Sequence, residues 1–389
     1  MATGREYALV LLGATGFTGG LTAEYLATHA PPDLRWALAG RNRGKLEAVR
    51  ARLAGIDARY ADLPLLTADS GDADSLRALA ESAGVVISTV GPYTVHGEPL
   101  VAACAAAGTD YVDLTGEPEF ADRMYLAHHE TARKSGARLV HACGFDSIPH
   151  DLGAWYTVRQ LPEDVPVRVD GYVRASGMPS GGTFLSAMTI TSRMIAASRV
   201  AKQRAAVEAR PSGRAVNVRA GRPHRVRDTG WWAVPMPTID PEIVGRSAWA
   251  SERYGPDFTY HHYAAFQHAP VLAGAAVGMG LLAAASQVPP ARRALSKLLA
   301  PGKGPSEARR ARSWFAVRFH GEGGGKRVVT EVSGGDPGYG ETAKMLAESA
   351  LCLALDDLPE TSGQVTTATA MGDALIDRLT AAGITFRTL

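Results

Sequence analysis

The sequence predicts an α/β protein that begins with a doubly wound parallel sheet, and three observations lead to this fold class. Short apolar runs alternate with helical patterns over the first 150 residues. The apolar runs are nearly continuous, as in strands that are buried on both faces. Glycine-rich turns follow several of them, at points where a strand would pass into a helix. Alternating units of this kind are typical of a parallel sheet covered by helices on both sides.

The first unit is the stretch YALVLLGATGFTGG at residues 7–20. Its apolar run, residues 8–12, predicts a buried strand, and the pattern that follows predicts a helix. The turn between them would present backbone N–H groups and a helix N-terminus to a pyrophosphate. Gly13 would permit the tight turn, Gly16 the approach of phosphate and Gly19 the packing of helix on strand. The spacing is GxxGxxG instead of GxGxxG, so a plain strand–turn–helix with glycine caps stays open as an alternative.

The units that follow repeat the order of strand and helix. We predict strands at residues 35–40, 63–69, 85–90, 111–114 and 138–143, and helices that end near residue 54 or span residues 72–83, 98–107 and 120–135. Asp72 is a capping-type residue at the start of its helix. Residues 1–150 are therefore expected to form a Rossmann-type dinucleotide-binding domain.

The end of the second strand indicates which dinucleotide binds. An NAD site carries Asp or Glu there for the ribose hydroxyls, whereas an NADP site needs a cation for the 2′-phosphate. This chain has Arg41 at that position, followed by Asn42 and Arg43, with no acid nearby. The pattern favours NADPH, with Arg41 on the 2′-phosphate. An arginine that is merely solvated on a loop is the alternative.

The pattern changes after residue 150, where predicted strands are no longer separated by helices. We predict strands at residues 165–174, 258–266, 314–321 and 327–333, a glycine-rich turn at 177–183 and a helix over 184–207. This pattern favours a second domain of the α+β type, residues 151–333, with an antiparallel or mixed sheet. Helices at 342–355 and 372–381 then belong to a last segment, 334–389, which we expect to return to the Rossmann domain.

Two segments of the second domain have unusual composition. Residues 269–288 carry no charge. The segment fits a helix that is buried or faces a partner, or one that lies on a membrane surface. A helix that crosses the bilayer is the least favoured of the three interpretations. A run of seven arginines is expected to form a basic loop region; it consists of Arg204, Arg210, Arg214, Arg219, Arg222, Arg225 and Arg227.

Composition limits the partners and the compartment. The formal net charge of +2 gives no basic footprint for nucleic acid. The three cysteines, Cys104, Cys143 and Cys352, are far apart in the sequence and are expected to be reduced core residues. With no signal peptide visible, we expect a cytoplasmic protein, with peripheral contact at the inner membrane face left open.

Five motifs are distributed along nearly the whole chain: GATGFTGG (13–20), STVGPY (88–93), DYVDLTGE (110–117), ACGFDSIPHDLG (142–153) and GGDPGYGETAKMLAESALCLALDD (334–357). Together they resemble the motifs of the saccharopine dehydrogenase-like oxidoreductases, and the closest branch looks like the trans-acting enoyl reductases of actinobacteria. The glycine turn is widespread, whereas GFDSIPHD and GGDPGYGETAKML are much more specific. The resemblance implies a Rossmann domain with NADPH and a second domain around a mixed sheet. It further implies reduction of a carbon–carbon double bond on a polyketide- or lipid-derived acyl thioester.

Ligands of doubly wound sheets bind outside the carboxyl ends of the strands. This rule places one set of residues around the cofactor: Gly13, Ala14, Thr15, Gly16, Phe17, Thr18, Gly19, Arg41, Asn42, Asp69, Thr89, Val90, Gly91 and Pro92. The chain has no Tyr-x-x-x-Lys pair, so the catalytic pair of short-chain dehydrogenases is absent.

Enoyl reduction needs a donor for the developing enolate and an acid for the α-carbon. The polar candidates near the expected crevice are Tyr93, His96 and Asp146, with Ser147 and His150 beside them; Tyr93 is the first choice. Asp146 could instead cap a helix, and His96 and His150 could be loop or cap residues. A further alternative is that no single side chain is essential, because hydride transfer depends mostly on orientation by the cofactor site. No metal is expected, because the pairs His128-His129 and His261-His262 have no acid or cysteine at ligand spacing.

Three functions stay open at this point. The first is an NADPH-dependent enoyl reductase whose substrate is delivered by an acidic acyl carrier protein. The arginine run could steer the docking of that carrier, and a solvated loop with no partner is the alternative interpretation of the run. The second is an amino-acid reductase like saccharopine dehydrogenase itself. The third is a lipid-associated protein that binds NADP without turnover. A homodimer is weakly favoured.

Overall fold

The computed structural model describes residues 4–176, 194–269 and 305–389, together with Gly274, Gly278 and Gly280. The chain forms two compact units: Met1–Phe145 with Tyr339–Ala382, and Asp146–Gly338 with Gly383–Leu389. The predicted turn at 177–183, the first part of the predicted helix 184–207 and nearly all of the apolar segment 269–288 lie outside the described residues.

The regular elements are numbered in chain order. The strands are β1 (Tyr7–Leu12), β2 (Trp36–Gly40), β3 (Leu65–Thr67), β4 (Ala83–Ser88), β5 (Asp110–Asp113), β6 (Arg138–Val140), β7 (Val167–Ser176), β8 (Ala215–Val218), β9 (His224–Arg225), β10 (Trp232–Pro235), β11 (Asp257–Phe266), β12 (Trp314–Gly323), β13 (Lys326–Gly334), β14 (Gly363–Val365) and β15 (Thr385–Thr388). The helices are α1 (Phe17–His29), α2 (Arg43–Ala54), α3 (Ala73–Ser82), α4 (Tyr93–His96), α5 (Glu98–Ala107), α6 (Pro118–Ser135), α7 (Ile148–Val158), α8 (Met194–Val207), α9 (Asp240–Ala250), α10 (Glu307–Arg310), α11 (Gly340–Leu355), α12 (Thr367–Ala370) and α13 (Gly372–Ala381).

The first unit is built on a sheet of seven parallel strands in the order β14-β6-β5-β4-β1-β2-β3. Every residue of β2 and all but one of β1 are buried, as their apolar composition predicts for central strands covered on both faces. Asp72 caps α3 by accepting a hydrogen bond of 3.1 Å from the Asp74 N–H. The doubly wound parallel sheet is confirmed.

The second unit contains a mixed sheet, also as predicted. Seven of its strands follow the order β15-β13-β12-β7-β11-β10-β9, and β8 pairs with β11. The pairs β7–β11 and β8–β11 are parallel, and the others are antiparallel. Helix α7 packs closely on this sheet, since a Cβ on Gly153 would lie 2.3 Å from the Phe319 ring.

Two expectations about local structure are corrected. The strand predicted over 85–90 ends at Ser88, so that residues 89–92 form a loop. The arginine run is not one basic loop. Arg204 lies in α8, is 2% exposed and pairs with Glu208, with 2.9 Å between Nε and Oε1. Arg214 donates to the carbonyl oxygens of Ala248, Ser251 and Gly255.

Within the part of the chain that the structure describes, no helix is long and apolar enough to cross a lipid bilayer.

Candidate functional site

The glycine turn joins β1 to α1 and leaves the start of that helix open. Gly13 has a φ of +96°, a conformation that favours glycine. Gly16 precedes α1 without a side-chain cap, and the first turn of the helix contains no acidic residue. Thr15 and Gly16 are exposed. An uncapped helix start with exposed backbone is the donor set that a dinucleotide phosphate requires, so these residues fit an NADP cofactor.

Gly19 brings α1 into close contact with the end of β1. A Cβ on this residue would lie 2.2 Å from the Gly13 carbonyl oxygen and 2.6 Å from Thr89 Oγ1. No side chain fits in that space. The other residues predicted in this turn accompany it: Ala14 is buried, and Phe17 and Thr18 are half-buried in the first turn of α1.

The residues after β2 and β3 form the neighbouring part of the same edge. Arg41 directly follows β2, is exposed and has no ion-pair partner among the described residues. Asn42 caps α2, since its Oδ1 accepts a hydrogen bond of 2.9 Å from the Lys45 N–H. Arg43 pairs with Glu47 at 3.3 Å. The carboxylate of Asp69, after β3, accepts the Gly71 N–H at 2.9 Å. Among the described residues, Arg41 is thus a cation without an ion pair at the position where the 2′-phosphate is expected.

The loop after β4 lies against the glycine turn. Thr89 donates its backbone N–H and its hydroxyl to the Leu12 carbonyl oxygen, at 3.0 and 3.2 Å. Val90 is half-buried, and Gly91 and Pro92 are exposed. The structure therefore brings the residues predicted after β1 and β4 together. The predicted site residues belong to the first unit, except Asp146 and the neighbouring candidates Ser147 and His150.

Tyr93 opens the short helix α4, and its side chain faces inward. It is 5% exposed, its hydroxyl donates to the Ser88 carbonyl oxygen at 2.9 Å, and it accepts the Leu114 N–H at 3.4 Å. Burial raises the pKa of this phenol well above its usual value. The Tyr93 hydroxyl therefore links the end of β4 to the residue that follows β5. His96, at the other end of α4, is exposed.

A buried carboxylate that the sequence reading missed holds α4 in place. Glu117 accepts the N–H groups of Tyr93 and Thr94 at 3.1 and 3.0 Å, and it is 2% exposed. It thus satisfies the first backbone donors of the helix and adds a favourable charge at its N-terminus. The only signal in the sequence was the Glu that ends DYVDLTGE, because the acid lies about two dozen residues from the helix that it caps.

Asp113 and His141 form a second buried pair at this edge of the sheet. The His141 Nδ1 lies 2.7 Å from Asp113 Oδ2, and both side chains are at most 1% exposed. Asp113 Oδ1 also accepts the Ala142 N–H at 3.0 Å. Ala142 has a φ of +60° and Ser147 one of +135°, which strains non-glycine residues. Strain at two positions of one segment is a mark of functional sites, and it falls on the specific motif ACGFDSIPHDLG.

Asp146 is the first residue of the second unit and is partly buried. Burial, followed by the negative charge of Asp240, raises the pKa of its carboxyl group to about 7. Asp146 does not cap the following helix: Ser147 precedes α7, and no side chain caps it.

The second unit also contains a buried cluster formed by His150, Asp240 and His262. His150 Nε2 lies 3.5 Å from Asp240 Oδ1, and His262 Nε2 lies 3.5 Å from Asp240 Oδ2. Burial lowers the pKa of each histidine to about 3, so both imidazoles are neutral at pH 7. No acidic residue lies at ligand spacing from His262 in the sequence. In the structure, the carboxylate beside it is that of Asp240, the first residue of α9.

An open helix start on a glycine turn, at the carboxyl edge of a doubly wound sheet, is the arrangement of a dinucleotide-binding site, the class of site that nicotinamide-dependent oxidoreductases use. Residues 9–140 match the family model of the saccharopine dehydrogenase NADP binding domain. A trans-acting enoyl reductase of Mycobacterium ulcerans is 37% identical, over 98% of this chain and 97% of that protein. One from Mycobacterium tuberculosis strain H37Rv is 38% identical, over 99% of this chain and 98% of the relative.

The fold agrees with these sequence matches. The apo structure of the L-Glu-forming saccharopine dehydrogenase of Saccharomyces cerevisiae superposes with a TM-score of 0.56 at 14% identity, covering 98% of this chain and 99% of the other. This chain belongs to the saccharopine dehydrogenase-like family of oxidoreductases, within its branch of trans-acting enoyl reductases. It is an enzyme, and its cofactor is NADPH.

Proposed function

We propose that the enzyme reduces the carbon–carbon double bond of an α,β-unsaturated acyl thioester, and that a partner carrier protein delivers the acyl chain. The observation that carries this proposal is the similarity, over nearly the full length of both proteins, to relatives named trans-acting enoyl reductases. A homodimer and peripheral membrane contact stay predictions from the sequence.

The first unit would hold the cofactor through its own backbone and one cation. The N–H groups at the start of α1 and the glycine turn before it are the proposed pyrophosphate site, and Arg41 the proposed partner of the 2′-phosphate. Residues 89–92 would line the cofactor. When bound, NADPH supplies the hydride that adds to the β-carbon.

The candidate for the acid that protonates the α-carbon is Asp146. Asp146 is a partly exposed residue, and its carboxyl group forms no hydrogen bond among the described residues, whereas the Tyr93 hydroxyl is buried and bonded to Ser88 and Leu114. His96 is exposed and keeps an alternative role as donor.

Replacement of Asp146 by Asn is expected to lower kcat about 100-fold, the usual loss when a general acid is removed. Tyr93→Phe is the matched comparison. It should keep kcat and its pH profile, and lose about 1–2 kcal/mol of stability because two buried backbone groups lose a partner. Steady-state kinetics and thermal unfolding of both variants decide the matter. A large loss of kcat in Tyr93→Phe with none in Asp146→Asn would reverse the assignment.

Three exposed arginines of the run are the proposed docking contacts for an acidic carrier: Arg219, Arg222 and Arg227. None has an ion-pair partner among the residues that the structure describes. Arg204 and Arg214 are not proposed as docking contacts, because the first donates hydrogen bonds to Glu208 and the second to backbone carbonyl oxygens.

The proposed function is tested by NADPH oxidation with enoyl thioesters of increasing chain length, each offered on a carrier protein and as a small pantetheine thioester. Turnover should rise with chain length. Reversal of the three arginine charges should raise KM about tenfold for the carrier-bound form alone, because electrostatic complementarity acts mainly on association. An equal change for both forms would exclude the docking surface. Turnover only with an aminoadipate semialdehyde–glutamate pair would favour the amino-acid reductase.

A further inference from the structure

The cluster of His150, Asp240 and His262 lies in the second unit, and the function proposed above assigns no role in binding or proton transfer to these three side chains. Its three side chains come from three elements: α7, the first residue of α9, and β11. Each offers one potential ligand atom, and these atoms all lie within 4.8 Å of one another. It is the only such group of histidine, cysteine and acidic side chains among the described residues.

The contacts within the cluster are close, but they do not satisfy its polar atoms. The Asp240 carboxylate stands 3.5 Å from each imidazole, with one oxygen toward His150 and the other toward His262. Even so, Asp240 Oδ1 and His262 Nε2 have no hydrogen-bond partner among the described residues. Both residues are at most 3% exposed, so bulk solvent does not reach them. Buried polar atoms without a partner are uncommon and costly.

We propose that His150, Asp240 and His262 bind one divalent transition-metal ion, with Zn²⁺ as the expected ion. Imidazole and carboxylate are the ligands that zinc combines in proteins, at about 2.0–2.2 Å from the metal. In a tetrahedral site with such bonds, two ligand atoms lie about 3.4 Å apart. Each imidazole nitrogen lies 3.5 Å from one of the two oxygens of Asp240, and three ligand atoms, one from each residue, lie within 4.8 Å of one another, so the side chains would draw closer together around a bound ion. Three protein ligands leave one position for a water molecule.

The surroundings of the cluster support the same assignment. The Tyr260 hydroxyl lies 3.1 Å from His262 Nδ1, which leaves Nε2 directed toward Asp240. The Thr238 hydroxyl donates to Asp240 Oδ2. Hydrogen bonds of this kind, made by the second nitrogen of a ligating histidine and by a ligating carboxylate, orient the ligands of metal sites. No arginine or lysine forms an ion pair with Asp240 among the described residues, so a bound cation would supply the missing positive charge.

The neighbouring His261 provides a matched control within the same strand. It points to the opposite face of the sheet from His262, as adjacent strand residues do, and its Nδ1 lies 2.8 Å from Asp170 Oδ1. Loss of this imidazole should leave the proposed site intact. Both His261→Gln and His262→Gln replace an imidazole by an amide, but only His262→Gln removes a proposed metal ligand.

The test uses the full-length chain without an affinity tag, stripped with a chelator and titrated with Zn²⁺ and with Co²⁺. The wild-type protein and His261→Gln should each bind one equivalent, and Co²⁺ should give the intense visible absorption of a tetrahedral site. His262→Gln and Asp240→Asn should weaken binding at least 100-fold. Tyr260→Phe, which removes only the supporting hydrogen bond, should weaken it 10- to 100-fold.

Two results would overturn the proposal: a wild-type protein that takes up neither ion, or His262→Gln binding as the wild type does. The Co²⁺ spectrum of the wild-type chain decides the question even where a buried variant fails to fold. Thermal unfolding gives a further readout, because an ion that joins α7, α9 and β11 should raise the Tm of the stripped protein when it is restored. Since this readout needs neither NADPH nor substrate, the outcome does not depend on the enoyl reductase assignment.

Discussion

Replacement of Gly19 by alanine is expected to destabilise the protein by about 3 kcal/mol, at the upper end for overpacking, and to abolish NADPH binding. The new Cβ would lie 2.2 Å from the Gly13 carbonyl oxygen, which is backbone and cannot rotate away. Helix α1 would have to move off β1, and the phosphate donors at its start would move with it. For a unit of this size, the loss corresponds to a fall in Tm of about 6–12 °C.

Gly20→Ala is the matched control for this change. A Cβ there would lie 2.9 Å from a guanidinium nitrogen of Arg52, the mobile end of a half-exposed side chain. Because alanine also favours the helix by up to about 1 kcal/mol, the Tm should stay the same or rise. Thermal unfolding without cofactor and NADPH titration measure both variants. Equal behaviour of the two would mean that the packing at Gly19 does not hold the turn.

Arg41→Glu is expected to invert the cofactor preference. The variant removes a charge-assisted contact to the proposed 2′-phosphate and adds a repulsion, so kcat/KM for NADPH should fall about 100-fold relative to that for NADH. Arg43→Glu, two residues on, is the control. Arg43 already pairs with Glu47 on the surface of α2, so its reversal should leave the ratio nearly unchanged. An unaltered preference in Arg41→Glu would move the 2′-phosphate contact to another residue.

The doubly wound sheet could be predicted from the sequence because its signals are local. Strands β1 and β2 are continuous apolar runs, and Asp72 and Asn42 each precede the helix that they cap. The end of β4 was less clear. Thr89 and Val90 continue the apolar pattern of that strand, but their backbone leaves the sheet to pack against the glycine turn.

The interior of the site could not be predicted, because it depends on contacts between distant residues. The sequence predicts Tyr93 to be a donor at the opening of a crevice, yet its hydroxyl is buried and hydrogen-bonded to the backbone of Ser88 and Leu114. Asp113 and His141 are 28 residues apart in sequence. His262 gains its acid only when α9 and β11 come together. Pairing across elements of this kind leaves no periodic signal in one sequence.

The most direct test of the central claim is isotope transfer from NADPH carrying deuterium at C4, prepared in both stereochemical forms. Incubated with the enzyme and a carrier-bound enoyl thioester, one form should give a saturated acyl chain with one deuterium at the β-carbon. The solvent should supply the hydrogen at the α-carbon. Unreduced thioester with NADPH bound, or deuterium at a carbonyl or imine carbon of another acceptor, would contradict enoyl reduction.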